Sequence, residues 1–143
     1  MSLDENKALW KSWLTLWNGN LSIADEIIAP NFVAHFAPMG NSPAEVRGPD
    51  GLKQWIGGAI AAFTDYSFTT TVGPIVDEEM VAGRWIFRAT YQGGMPGTPL
   101  AAVGKHVEYA GIDIFRVEGG KIAEYWLCAD ILQLLQQIGM IPS

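Results

Sequence analysis

Past residue 65 the chain is dominated by β-strand signal. Four segments, 66–76, 80–91, 104–117 and 121–128, are rich in β-branched and aromatic residues and are separated by turn-forming stretches. The last two are joined by the tight turn Glu118, Gly119, Gly120. Helical periodicity comes before this run and once after it. In residues 4–17, Trp10, Trp13, Leu14 and Trp17 fall at i, i+3, i+4 and i+7, which makes one stripe of an amphipathic helix. Asn18, Gly19 and Asn20 end it with residues that tolerate left-handed backbone. A short second helix, 21–28, is expected to stop at Pro30, with a short strand over 31–36 and a loop over 40–47. Pro49 sits at the first position of a third helix carrying Leu52, Trp55, Ile56, Ile60 and Phe63. A closing helix, 131–138, stops at Gly139. Helices first and long strands afterwards predict an α+β fold, a curved antiparallel sheet with the N-terminal helices packed on one side. Trp10, Trp13 and Trp17 are expected to point inward.

The bulk numbers narrow the function. A chain of 143 residues without repeat or linker reads as a single domain, 1–143. Six Trp, six Phe and four Tyr exceed the needs of a minimal core and point to an aromatic-lined cavity or a subunit interface. A net charge of −6, with nine scattered basic residues, argues against nucleic acid, whose binding rests on Lys and Arg neutralising phosphates. One Cys and two His give no metal-ligand spacing, and no phosphate-cradling Gly motif is present, so no metal or organic cofactor is expected. Nothing reads as a signal peptide or a bilayer-spanning run, so no membrane partner and a cytoplasmic location are expected.

Strict alternation on the last strand would place Ile122, Glu124, Trp126, Cys128 and Asp130 on one face. Two carboxylates among a Trp, an Ile and a Cys make a plausible catalytic wall, because desolvation can raise an acid's pKa toward neutrality. Asp130 also stands where a helix begins, and Asp is among the best N-caps. The alternative readings are therefore that Asp130 only caps that helix and that Glu124 is solvated or holds the sheet by a hydrogen bond. Asp113, on a face with Val107, Tyr109 and Phe115, reads as structural, and His106 as a surface residue. Arg84 and Arg88 share a strand face with Ile86 and Thr90 and read as facing solvent or a partner.

Several ordered pieces resemble one family. They are Trp17-Asn18-Gly19-Asn20, the stretch Ile-Ala-Pro-Asn-Phe-Val-Ala-His at 28–35, and Arg-Gly-Pro-Asp-Gly at 47–51. Three more follow: Phe-Thr-Asp-Tyr-Ser-Phe at 63–68, Gly-Ile-Asp-Ile-Phe-Arg at 111–116, and Gly-Lys-Ile-Ala-Glu-Tyr-Trp at 120–126 with Asp130 behind it. Together they resemble the SnoaL-like polyketide cyclases, within the cystatin-like α+β superfamily of ketosteroid isomerase and nuclear transport factor 2. The resemblance implies a cone-shaped domain, usually a homodimer, with a pocket between the concave sheet face and the helices. It implies cofactor-independent acid/base chemistry, a ring-closing aldol condensation or related isomerisation, on a small, largely apolar carbonyl compound. It further implies Asp130 as the acid/base group and His35 as a second catalytic group, with Trp13, Trp17, Trp55, Tyr91, Trp126 and Glu124 lining the pocket. Where many relatives carry Gly-Thr-His-Thr-Gly, this chain has Ala-Thr-Tyr-Gln-Gly at 89–93, so either Tyr91 stands in for a His as a neutral donor or that protonation step is missing here. The same fold hosts binding proteins without catalysis and interaction modules that use the exposed sheet, which remain alternatives.

Overall fold

In a computed structural model, residues 2–37 and 45–142 are described. Helix α1 spans Leu3–Trp17 and begins where Ser2 Oγ accepts from the amide of Glu5 at 3.0 Å, with Asp4 and Glu5 complementing the positive end of the helix. Its apolar stripe is buried: Trp10, Trp13, Leu16 and Trp17 all face the interior. A 3-10 turn at Leu21–Ile23 leads into α2, Ala24–Ile27, which is one turn long. Strand β1 then runs over Ile28–His35. The second helix therefore ends before Pro30, which lies inside an edge strand, where a residue without an N–H costs little. The expected loop 40–47 lies mostly outside the described residues; Arg47 makes an isolated antiparallel bridge to Val33. Helix α3, Gly48–Ile60, carries Pro49 in its first turn and buries Leu52 and Ile56.

The long strands are β2 (Phe63–Val76), β3 (Met80–Tyr91), β4 (His106–Glu118) and β5 (Lys121–Ala129), followed by α4 (Ile131–Gln137). They form one curved five-stranded sheet in the order β1-β5-β4-β3-β2. Pairing is antiparallel from β2 to β5, and β1 joins the β5 edge in parallel. The helices cover one face. On β3 that face buries Val81, Gly83, Trp85, Phe87, Ala89 and Tyr91; on β4 it buries Val107, Gly111, Asp113, Phe115 and Val117.

Two glycines on this face let the aromatics lie down on the sheet. An added Cβ at Gly83 would stand 2.4 Å from the ring of Trp10, and one at Gly111 only 2.3 Å from the ring of Trp85. Gly83 pairs with Asp113 and Trp85 with Gly111, so the two indoles are laid diagonally beside one carboxyl group.

The register of β5 breaks the strict alternation expected from its sequence. Arg116 pairs with Glu124, yet Val117 pairs with Ile122, which leaves Ala123 as the extra residue of a bulge. Ile122 is thereby turned to the buried face, while Glu124, Trp126 and Cys128 stay on the other one.

Candidate functional site

Between the covered face of the sheet and the helices lies a cavity of about 890 Å³, within the range of small-molecule sites. Helix α1 contributes Leu14 and Trp17, and α3 contributes Gln54, Trp55 and Gly58. The sheet contributes Phe68, Trp85, Phe87, Tyr109, Asp113, Tyr125 and Leu127. The loop Gly93, Gly94, Met95, Pro96 and the helix α4 residues Ile131, Leu134 and Leu135 complete the wall. Most of this lining is aromatic or aliphatic, and its charged residues are Glu45 and Asp113.

Asp113 is the buried one of these two, only 3% exposed. Its Oδ2 accepts from Trp13 Nε1 at 2.9 Å, and its Oδ1 accepts from the Tyr125 hydroxyl at 2.8 Å. Burial disfavours the charged carboxylate and pushes its pKa up to about 6, while these donors pull the other way. Trp85 also pulls it down, although its indole N–H is buried without a hydrogen bond of normal geometry among the described residues. Tyr109 and Tyr125 are both held as neutral phenols, first by burial and then by the charge of Asp113. A carboxyl group titrating near pH 6 beside phenols that stay protonated is suited to proton transfer.

The residues singled out in the sequence fall into three groups, with Asp130 apart from all of them. Trp17 and Trp55 are in the cavity wall and meet edge to face at 5.5 Å. Trp13 and Tyr91 stand behind the wall. Trp13 is fully buried and positions Asp113. Tyr91 is fully buried too; its hydroxyl accepts from the amide of Met95 at 3.0 Å and lies 2.7 Å from Thr98 Oγ1, which fastens the 93–98 loop that supplies part of the wall.

Glu124, Trp126 and His35 form a separate cluster on the opposite face. His35 Nε2 lies 2.7 Å from Glu124 Oε2, and Arg116 Nε donates to Glu124 Oε1 at 3.2 Å. The His35 ring stacks on Trp126 at 5.5 Å, as the pairing of these residues across β1 and β5 dictates. His35 first, and Arg116 after it, hold the Glu124 carboxyl below its ordinary range. The alternation of β5 accounts for this separation, because Tyr125, Leu127 and Ala129 take the cavity side. Asp130 is exposed and begins α4, with its Oδ1 accepting from the amide of Gln133 at 3.1 Å.

The described geometry thus puts the cavity carboxyl on β4 rather than at the end of β5. A signal for Asp113 was present in the sequence, since it is the one acid on a face otherwise made of Val107, Tyr109, Gly111, Phe115 and Val117. A charge on such a face is either paired or functional.

The model of the SnoaL-like polyketide cyclases matches residues 7–138. The chain belongs to this family. None of the curated proteins compared with it matches. Solved structures of the same fold include TsrD from Streptomyces laurentii, at 25% identity and a TM-score of 0.82 over 99% of both chains. AclR from Streptomyces galilaeus, described as a candidate hydroxylase, is 26% identical with a TM-score of 0.81, over 99% of this chain and 85% of its own. A candidate polyketide cyclase from Acidithiobacillus ferrooxidans is 26% identical with a TM-score of 0.78, over 97% of this chain and 98% of its own. For this SnoaL-like domain, no group of three or more His, Cys, Asp or Glu among the described residues could hold a metal ion. No helix among the described residues is long and apolar enough to cross a membrane.

The cap geometry of Asp130 gives a direct expectation. Asp130→Ala should cost about 1 kcal/mol of stability, read as a lower melting temperature, while Asp130→Asn, which keeps a capping oxygen, should cost little. Equal losses in both variants would mean that the carboxylate charge, not the cap, matters there.

Proposed function

We propose that this SnoaL-like domain is an acid/base enzyme acting on a flat, largely apolar carbonyl compound, by ring-closing aldol condensation or a related isomerisation, with Asp113 as the proton-transfer group. The observation that carries this is the Asp113 carboxyl buried in the wall of an apolar cavity, where burial pushes its pKa up to about 6. At neutral pH such a group is mostly ionised, yet basic enough to remove a proton from a carbon flanked by carbonyls. The C–H electron pair moves into the carbonyl to give an enolate, and the proton goes to Asp113. Tyr109, which lines the same cavity as a neutral phenol, is the candidate donor to the developing oxyanion. In ring closure the enolate carbon then bonds to a second carbonyl carbon, the C=O π pair moves onto its oxygen, and that oxygen takes back the proton held by Asp113. None of these steps uses a metal or an organic cofactor.

A cheap test uses 2-tetralone in deuterated buffer. The protein should speed deuterium incorporation next to the carbonyl above the buffer rate, as followed by NMR. No acceleration at any pH between 5 and 9 would speak against a carbonyl acid/base enzyme.

A second reading, a binding protein without catalysis, is favoured by one observation. Both oxygens of Asp113 already accept a hydrogen bond from the protein, as in a purely structural carboxyl. Each oxygen keeps a second lone pair, so the catalytic reading stands beside it.

The proposal extends to assembly as a homodimer through the uncovered sheet face. Ile112 and Ile114 are 48% and 37% exposed there, and their cross-strand neighbours are Arg84, Cys128, Ala82 and Trp126. Apolar side chains at the centre of a sheet face need cover. By analytical ultracentrifugation the wild type should sediment as a dimer at micromolar concentration and Ile112→Asp as a monomer. A monomeric wild type would remove the assembly from the account.

A further inference from the structure

The charges around the cavity are one-sided. Among the described residues its lining holds Asp113 and Glu45 but no Lys, Arg or His, and residues 38–44 contain no charged residue by sequence. Basic groups of the neighbouring elements are paired with acids, Arg47 with the lining residue Glu45 itself, which leaves Asp113 as the lining carboxylate without a cationic partner among the described residues. Lys53 of α3 bonds to Asp25 Oδ2 at 2.7 Å, Arg47 pairs with Glu45, and Arg88 and Arg116 pair with Glu108 and Glu124 on β4 and β5. Around Asp113 the wall is aromatic: Tyr109, Tyr125, Trp85 and Trp17 line the same space. An anion entering this cavity would meet the Asp113 carboxylate and, among the described residues, no unpaired counter-charge, at the desolvation cost of any unpaired buried ion. A cation would meet the opposite case, aromatic faces that attract it and a carboxylate that lacks a cationic partner.

We propose that the cavity takes a flat apolar ligand bearing a cationic nitrogen, a protonated amine or an iminium, with Asp113 as its counter-ion and the surrounding rings as its walls. The proposal deepens the acid/base reading and rests on the same cavity. An iminium would join recognition to chemistry. Asp113 would take the proton from the carbon next to C=N⁺, the C–H electron pair would form a C=C bond, and the C=N π pair would return to nitrogen. The product is a neutral enamine and a protonated Asp113, with charge and electrons conserved.

Three naphthalene probes of nearly equal size test the charge rule by titration calorimetry at about pH 7.5, where the amine is cationic and the acid anionic. They are 2-naphthylmethylamine, 2-acetylnaphthalene and 2-naphthoate. The wild type should bind the amine at least about 10-fold more tightly than the naphthoate, with the neutral ketone between them. Asp113→Asn should lose the amine preference while keeping its affinity for the ketone, which shows that the cavity is intact. Naphthoate binding as tight as the amine, an amine preference that survives in Asp113→Asn, or no binding of any probe by the wild type would each overturn the proposal. Because binding is read without turnover, charge selectivity in the absence of deuterium exchange would sink the enzyme reading and leave this one standing. Exchange without selectivity would do the reverse.

Discussion

Asp113→Asn is expected to make the protein more stable above pH 6 and little changed, or weaker, below pH 4. The folded-state pKa of Asp113, about 6, lies above its ordinary value of 3.8, so the folded protein holds a proton that the unfolded chain has released between those limits. Stability tied to this group is therefore fully present below about pH 4 and is lost as pH rises through 6. A rise from 3.8 to about 6 corresponds to about 3 kcal/mol for a fully buried group. An Asn avoids that loss because it cannot ionise. Its oxygen can still accept from Trp13, and its amide can donate to the Tyr125 hydroxyl, so both hydrogen bonds survive with one reversed. Asp113→Leu differs: it strands the Trp13 and Tyr125 donors in the core and should cost about 1–3 kcal/mol for each. Melting temperatures of the three proteins across pH 4 to 8 give the comparison. A stability difference between wild type and Asp113→Asn that does not vary with pH would mean that Asp113 is not a buried, raised-pKa carboxyl.

The second large effect comes from the glycines beneath the indoles. Gly83→Ala would drive a Cβ into the Trp10 ring, which is nearly fully buried and tied to Thr70 Oγ1 by its N–H at 2.9 Å. Gly111→Ala would do the same to Trp85. Trp10 is packed away from the cavity, so Gly83→Ala should destabilise by about 3 kcal/mol, at the upper end of overpacking costs, while Trp85 borders the cavity and can shift into it, so Gly111→Ala should cost less, about 1–2 kcal/mol. The clash is pairwise, which makes it testable by a double-mutant cycle. Trp10→Leu should be costly in the wild type but much less so in Gly83→Ala, and Trp85→Leu should behave likewise in Gly111→Ala. Additive costs within either pair would show that the glycines are needed for something other than the close approach of these rings. Gly111→Ala should also disturb the cavity, since Trp85 lies beside Asp113, whereas Gly83→Ala acts through Trp10, outside the lining.

Much of the architecture was legible because it rests on periodicity. The Trp10, Trp13, Trp17 stripe gave α1 and its buried side, and Pro49 and the glycine turns bracketed α3 and the long strands. The parallel attachment of β1 was not legible. An edge strand of eight residues carries no signal for the direction of its partner, and Pro30 looks the same as a helix stop or as an edge-strand residue. The site was read less well for a comparable reason. A period of two says which residues share a face but not which face is covered, and the bulge at Ala123 moved Ile122 across while leaving Glu124 and Trp126 behind. Glu124 and Asp130 stand out as acids near a Trp, while Asp113, the one charged residue on an otherwise apolar and aromatic face, reads as structural. Its partners Trp13 and Tyr125 stand 100 and 12 residues away, a convergence that only the folded chain displays.

The most direct test of the account is deuterium exchange into 2-tetralone by Asp113→Asn and Asp130→Asn, measured side by side with the wild type. Both substitutions remove a carboxylate and keep its shape; only one of the two acids lines the cavity. The account predicts a loss of roughly 10²–10⁴ in rate for Asp113→Asn and wild-type exchange for Asp130→Asn. Retained exchange in Asp113→Asn together with its loss in Asp130→Asn would contradict it.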